Sequence, residues 1–501
     1  MMETMYTMFI FAAKMHYKIF ISNPVEHFIG IEWLIKNEGQ TSIDVQLPAW
    51  RPGRYELANY AKNIRHFSVN NNKGENILFK KITKDKWRVF SEGQNEILVQ
   101  YEYFAMQYDA GASFVDEKQL YINPVNCLMY VEGRMDERIN VELDIPSDYK
   151  IACQLPSKDK FIFAQNFDQL ADSPFIASES LTHSTFQVEE SHIHFWFQGI
   201  PCPDMDKLKK DTLSYIRFQK QIYGDFPSKE FHFLYIILPV QFRHGVEHTD
   251  STVIAMGPDT EWENQAFYHD FLAISSHELF HLWNVKRIRP AEMLPYDFTK
   301  ENYSELGYIY EGVTTYYGDL ALLRSNVWDF SQYVFYFNRV LQKHFDNSGR
   351  FNYSVAQSSF DTWLDGYVPG VKGRKVSIYN EGMLAALIAD IMILKATGGA
   401  ARLDQVMKLL YEESFIKGIG YTKEIYKSFL EQTGGISFTD YFDEVIDGSG
   451  NIEKYLKHAL EDIGLTYIFE KNSGTEQNVK LLKMSNINTV QQYFFEKWSG
   501  L

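Results

Sequence analysis

Apolar and polar positions alternate with a period of two through the first third of the chain and recur at helical spacing later on. His16-Tyr-Lys-Ile-Phe-Ile21, Ile29-Gly-Ile-Glu-Trp-Leu-Ile35 and Glu96-Ile-Leu-Val-Gln-Tyr-Glu-Tyr103 read as strands, with turn signals such as Asn70-Asn-Asn-Lys-Gly74 between them. Up to about residue 180 this pattern predicts an all-β domain. Phe231–Leu238 and Ser251–Met256 read as further strands, but between about 185 and 325 strands give way to long helical stretches. Tyr268–Ser276 contains no glycine or proline and predicts an amphipathic helix whose face runs through Ile274, His277, His281 and Asn284. A second helix follows over 304–323, where Leu306, Ile309, Val313, Tyr316 and Leu320 form the apolar stripe, and Pro290 and Pro295 break any continuous helix between the two. Met383–Leu394 is an unbroken apolar run that predicts a buried helix. With Asp404–Tyr411 and Ile452–Leu460 it makes 326–465 mainly helical. No internal repeat or low-complexity tract is apparent.

A chain of 501 residues with 45% hydrophobic and 16% aromatic content can bury large cores and has room for two to four domains. The class is α+β and multidomain. A net charge of -16 argues against nucleic acid and anionic membranes as partners. The short basic cluster Lys286, Arg287 and Arg289 is framed by hydrophobic residues and reads as local pairing. Cys127, Cys153 and Cys202 show no metal-ligand spacing and cannot all pair among themselves, which fits a reducing compartment. The first 13 residues are mildly apolar but lack a basic leader, so Met15 is a candidate start. No apolar run reaches the roughly 18 to 20 residues of a membrane span. The expected location is the cytoplasm.

His277-Glu-Leu-Phe-His281 carries the candidate chemistry. At 3.6 residues per turn His277 and His281 share one helix face and can bind one metal ion, while Glu278 can hold a metal-activated water and take its proton. The competing reading, two histidines packed in a core with a solvent-facing glutamate, leaves the pattern without chemistry. A third ligand is needed. The three-histidine extension of the motif fails, because its glycine would fall at Asn284 and its histidine at Arg287. Glu311 is the best alternative. It lies off the apolar stripe of the second helix yet is flanked by aromatic and aliphatic residues, where a carboxylate is costly unless paired or bound to metal. Its plain alternative is a charged position on a surface helix.

His277-Glu-Leu-Phe-His-Leu-Trp-Asn-Val-Lys-Arg-Ile-Arg-Pro290 followed by Glu311-Gly-Val-Thr-Thr-Tyr-Tyr317 resembles the signature of the glycyl aminopeptidase family of gluzincin zinc metallopeptidases. Leu47-Pro-Ala-Trp-Arg-Pro-Gly-Arg-Tyr55 is similar to the proline-rich segment of that family's N-terminal β-domain, and Gly245-Val-Glu-His-Thr-Asp-Ser-Thr252 to its GxEHxxST segment. The resemblance spans roughly residues 15 to 465. It implies one Zn2+ held by His277, His281 and Glu311. It also implies a β-domain over 15–180, a thermolysin-like catalytic domain over 181–325 and a helical region over 326–465 that completes the cleft. Family members usually carry a PDZ domain near the end, whereas here only a short tail, 466–501, is expected.

His244-Gly-Val-Glu-His248 formally matches the inverted zinc motif, but Gly245 and Val246 are poor helix formers between two strands, so the histidines would not converge. By resemblance, Gly245 and Glu247 belong to an active-site edge strand that pairs with an extended peptide, with Glu247 meeting its α-amine. An exposed charged turn is the competing reading. Tyr379, in Val376-Ser-Ile-Tyr-Asn-Glu-Gly382, is the candidate oxyanion donor, although the family usually has lysine-glycine where this chain has Glu381-Gly382. The expected function is that of a zinc aminopeptidase cutting small N-terminal residues, glycine or alanine, from peptides, with Glu278 as general base. A silent peptide- or protein-binding member of the fold and an endopeptidase remain open. The oligomeric state is not set by the sequence.

Overall fold

The computed structural model describes residues 13–199, 203–471 and 477–501; the N-terminal stretch through residue 12 and Cys202, both read above, lie outside the described residues. Alternation dictates the first strands. In Met15–Asn23 the side chains of Met15, Tyr17 and Ile19 are buried and those between them are half-covered, so one face of the strand meets a core. This strand pairs antiparallel with Phe28–Lys36 and parallel with Ile139–Asp144 in a seven-stranded sheet. Two four-stranded sheets follow, one built around Ile43–Gln46 and Lys86–Val89, the other around Gln119–Ile122 and Phe175–Ser178.

A five-stranded sheet runs in the order Thr182–Val188, Ser191–Gln198, Glu230–Ile237, Ser251–Gly257, Phe242–Glu247. Its three inner strands are parallel and Phe242–Glu247 is an antiparallel edge, with Gly245 opposite Ile254. Leu234, Ile236, Val253 and Ala255 of this sheet pack with Tyr121, Ala152 and Ile176 of the neighbouring four-stranded sheet in one apolar cluster. The described residues of Met1–Cys202, together with Ser228–Glu263 and Asp297–Glu301, make one compact unit. The last of these segments is held there by the proline-rich loop: Ala49 N–H donates to Phe298 O at 2.7 Å and Trp50 Nε1 to Asp297 O at 2.6 Å.

The second unit, Pro203–Pro227, Asn264–Tyr296 and the described residues of Asn302–Leu501, is helical. The units are therefore assembled by contact and cut across the four consecutive segments read from the sequence. Gln265–Phe280 is the motif helix, capped by the Asn264 side chain, which accepts from Ala266 N–H at 3.0 Å. The expected amphipathic stripe is absent: Phe267, Phe271, Leu272, Ile274, Ser275, Leu279 and Phe280 are all buried, and a helix apolar on every side is one enclosed on every side. The helix also ends sooner than its pattern suggests, with His281 at its C-terminal boundary. Ile378–Ala396 is a buried 19-residue helix over the apolar run.

The segment expected as a short tail carries more structure than that. Leu465–Lys471 and Gln477–Lys483 form a hairpin, and Thr489–Ser499 is a helix with a reciprocal Asn488–Gln491 capping box. Trp498 on that helix is fully buried and donates from Nε1 to Tyr316 Oη at 2.9 Å. Among the described residues no helix is long and apolar enough to cross a membrane.

Candidate metal centre

The motif helix crosses the helix Thr314–Arg324 at very short range because Gly318 has no side chain. A Cβ there would lie 3.1 Å from His277 Cα, and Ser276 Oγ donates to Gly318 O at 2.7 Å across the crossing. Glu311 does not sit in that α-helix but in the π-helical turn Tyr308–Val313 that leads into it. The wider turn displaces the regular backbone pattern, and two threonines take up carbonyls there: Thr314 Oγ1 donates to Tyr310 O and Thr315 Oγ1 to Glu311 O, both at 2.8 Å. Gly312 presses this turn onto the apolar helix, since its Cβ would lie 2.4 Å from Gly382 Cα. These contacts give the Glu-Gly-Val-Thr-Thr segment a structural reason for each small or hydroxyl residue.

Three donor groups meet as a result. His277 Nε2 and His281 Nε2 are 3.1 Å apart, and Glu311 Oε2 lies 3.7 Å from the first and 3.4 Å from the second. His281 and Glu311 are buried, and His277 is partly covered. The His281 ring has a fixed tautomer, because Nδ1 donates to Asn284 O at 2.7 Å, which leaves a lone pair on Nε2. Two imidazole lone pairs and a carboxylate facing one point repel unless a cation stands between them. Ligands about 2.0–2.1 Å from a tetrahedral ion are roughly 3.3 Å from one another, close to the spacings found here. The group can hold a metal ion, and two nitrogens with one oxygen suit zinc. Burial by itself raises the Glu311 carboxyl, but where His277 and His281 carry a proton in place of a cation their charge and N–H groups outweigh it and hold the group down to about 2.

Glu278 follows His277 and is buried, with a carboxylate oxygen within 4.8 Å of a His281 ring nitrogen. The Tyr379 ring centroid is 6.4 Å from that of His277, at the start of the helix Ile378–Ala396. Tyr316 and Tyr317 serve elsewhere: their hydroxyls donate to Asp390 at 2.5 Å and Asp404 at 2.6 Å. Arg287 donates to the carbonyls of Leu282 and Pro227, and Arg289 lies over the Tyr296 ring, so the basic cluster is taken up by internal contacts.

Family models of the M61 peptidases match this chain twice, the M61 N-terminal domain over residues 16–179 and the M61 glycyl aminopeptidase over 270–385. The chain belongs to the M61 glycyl aminopeptidase family. It is a metallopeptidase. The crystal structure of an aminopeptidase N family protein from Idiomarina loihiensis superposes with a TM-score of 0.87 at 25% identity, covering 92% of this chain and 80% of that one. A mutant M1 zinc metallopeptidase from Deinococcus radiodurans, bound to a Tyr-Ser-Ala substrate, has a TM-score of 0.51 at 13% identity, covering 89% and 92%, a likeness of fold alone. No curated protein matches.

In this M61 metallopeptidase Asn284 departs from the helix face predicted for it. It lies beyond the helix end, where its carbonyl accepts from His281 and its side chain donates to Ile309 O at 2.9 Å and Thr314 Oγ1 at 3.0 Å. One residue thus orients the second histidine and ties the motif to the turn that carries Glu311. A polar residue three positions past the motif, amid Leu282, Trp283 and Val285, was its only signal.

Within the first unit, Glu247 ends the edge strand and is buried, 7% exposed. Gly53 of the proline-rich loop lies against it: a Cβ on Gly53, whose φ is +75°, would stand 2.7 Å from Glu247 Oε2. Along the same strand His244 Nδ1 is 3.7 Å from Asp109, while His248 Nδ1 is 3.1 Å from Asp172. The two histidines of the inverted motif therefore engage separate carboxylates. Burial, then the charge of Arg51, pushes His244 down to about 4.

Proposed function

We propose that this metallopeptidase is a zinc aminopeptidase that removes small N-terminal residues, glycine or alanine, from peptides. The observation that carries the proposal is the buried convergence of His277, His281 and Glu311 with Glu278 beside it. One Zn2+ would supply Lewis acidity there, polarising the scissile carbonyl and making water acidic. Glu278 takes the proton of the attacking water and delivers it to the departing amine. Asn284 keeps the His281 ring in the tautomer that presents Nε2. Tyr379 donates to the oxygen on which charge develops. Glu247 receives the α-amine, and the strand containing Gly245 offers its backbone to the extended peptide, as family resemblance suggests. A cytoplasmic setting is consistent with Cys127 and Cys153, both free and buried thiols.

Glu278→Gln should keep stoichiometric zinc by elemental analysis while kcat falls by about 10^2 to 10^4. Glu311→Ala should lose the metal. Full turnover by the first variant would refute the assignment of the base. The exopeptidase element is tested on peptides of one sequence with free and acetylated N-termini. The free peptide should be cut and the blocked one spared; equal rates would remove the role given to Glu247 and favour endopeptidase action.

A further inference from the structure

Tyr379 also lines a cavity of about 700 Å3 bounded by the segment from Thr362 to Asn380 and by the end of the helix Phe330–Asp346. That volume lies in the range of roughly 300–1,000 Å3 typical of ligand pockets. Its construction is firm at the base. Asn347 Nδ2 donates to Lys375 O and Asn352 Nδ2 to Gly373 O, both at 3.0 Å, and Gly349 lies so close that a Cβ would be 2.4 Å from Lys375 O. The rim is different in character. Val371 stands 77% exposed on a glycine-rich loop, an apolar lip on water.

The charge of the wall runs against that of the whole protein. Lys343, Lys372, Arg374 and Lys375 face Asp346 and Asp365, an excess of cations in a chain of net charge -16. Arg374 is committed to Asp361 at 2.7 Å and Asp365 at 2.8 Å, and Lys375 to Asp365 at 3.3 Å. Lys372 is exposed and enters no ion pair among the described residues. An enzyme that fixes the substrate's amine at one end must let the rest of the peptide leave the reacting centre in another direction. The cavity shares Tyr379 with that centre and has an apolar lip and a surplus cation.

We propose that this cavity receives the part of the substrate beyond the scissile bond and that Lys372 attracts a carboxylate there. The ligand is thus a short peptide with a free C-terminus or an acidic side chain a few residues from its start. The inference rests on the aminopeptidase reading above and adds a preference that reading does not contain. Because Lys372 is exposed, its effect should appear in KM, weaken with salt and amount to a few-fold change.

The test uses the zinc-loaded enzyme and four substrates: glycine p-nitroanilide, Gly-Ala-Ala, Gly-Ala-Ala-amide and Gly-Ala-Glu-amide. Wild type should cut the free tripeptide with a kcat/KM about three- to tenfold above its amide, almost all in KM. In Lys372→Glu the ratio of the two should fall to one or below. Recovery by Gly-Ala-Glu-amide would identify a side-chain carboxylate as an accepted source; no recovery would assign the preference to the C-terminal carboxylate. Equal rates on acid and amide in wild type, or a ratio unchanged in Lys372→Glu, would overturn the inference. Failure to cut glycine p-nitroanilide would instead overturn the aminopeptidase reading, and this inference with it.

Discussion

Asn284 shows how much the geometry of a candidate metal site can depend on a residue outside its donor set. Its carbonyl fixes the His281 tautomer, and its side chain bonds the Ile309 carbonyl and the Thr314 hydroxyl on the neighbouring segment. Replacing it by alanine keeps the carbonyl but removes both side-chain bonds from the motif to the turn and helix beside it. Asn284→Ala should weaken zinc binding by about 10- to 100-fold, measured by competition with a chromophoric chelator, and destabilise the fold by about 1–3 kcal/mol. Unchanged zinc affinity would mean that the side chain is only a packing element. At this scale much was legible in advance: His277, Glu278 and His281 stand at a spacing that chemistry requires, and Glu311 was a carboxylate in an apolar setting. Asn284 was not, because its position depends on where the helix stops. The apolar residues that follow the motif continue a helical period past His281, and the tertiary contacts that end the helix leave no local mark.

Whole elements carry a second kind of information. On one face of the five-stranded sheet His183 stands opposite Trp196, and His194 opposite His232. The His183 and Trp196 rings stack with centroids 3.7 Å apart, those of His194 and His232 at 4.4 Å, and Trp196 Nε1 donates to His232 Nδ1 at 3.1 Å. Burial, then the neighbouring His194 and His183, pushes His232 down to about 3. In the unfolded chain the same ring titrates near 6.5. Between those values the unfolded state binds a proton that the folded state refuses, so stability falls as pH drops from about 6.5 towards 3. The slope is at most about 1.4 kcal/mol per pH unit for this one group. Thermal melts from pH 7 to 4 should show a steeper loss of Tm in wild type than in His232→Gln, which keeps an acceptor for Trp196 and does not titrate. Parallel curves would show that the stack does not set the acid limit. The strands themselves were readable from their alternation. The stack was not, because it joins residues nearly 50 positions apart through register, and register is fixed by partners that a single strand does not reveal.

On the scale of the molecule, the helical unit is closed by its last residues. Asp390, fully buried in the helix Ile378–Ala396, accepts from Arg402 at 2.7 Å, from Tyr316 at 2.5 Å and from Leu403 N–H at 2.9 Å. Arg402 also donates to the carbonyls of Lys497 and Trp498, and Trp498 donates to Tyr316. Burial opposes the charge on Asp390, but Arg402 outweighs it and holds the carboxyl below its ordinary range. The network therefore joins the C-terminal helix to Tyr316, five residues past Glu311, along the same continuous turn and helix. Removing one partner of a buried pair strands the other, at a cost of about 3–5 kcal/mol. Asp390→Asn should lower the urea midpoint by that equivalent, and because Tyr316 of the network and Glu311 of the candidate metal centre lie on one continuous turn and helix, zinc release should coincide with the change in tryptophan fluorescence. Added zinc should then shift both transitions upward together, since a ligand that prefers the folded state stabilises it. If zinc leaves well before the fluorescence changes, the metal centre opens locally and the C-terminal helix does not support it.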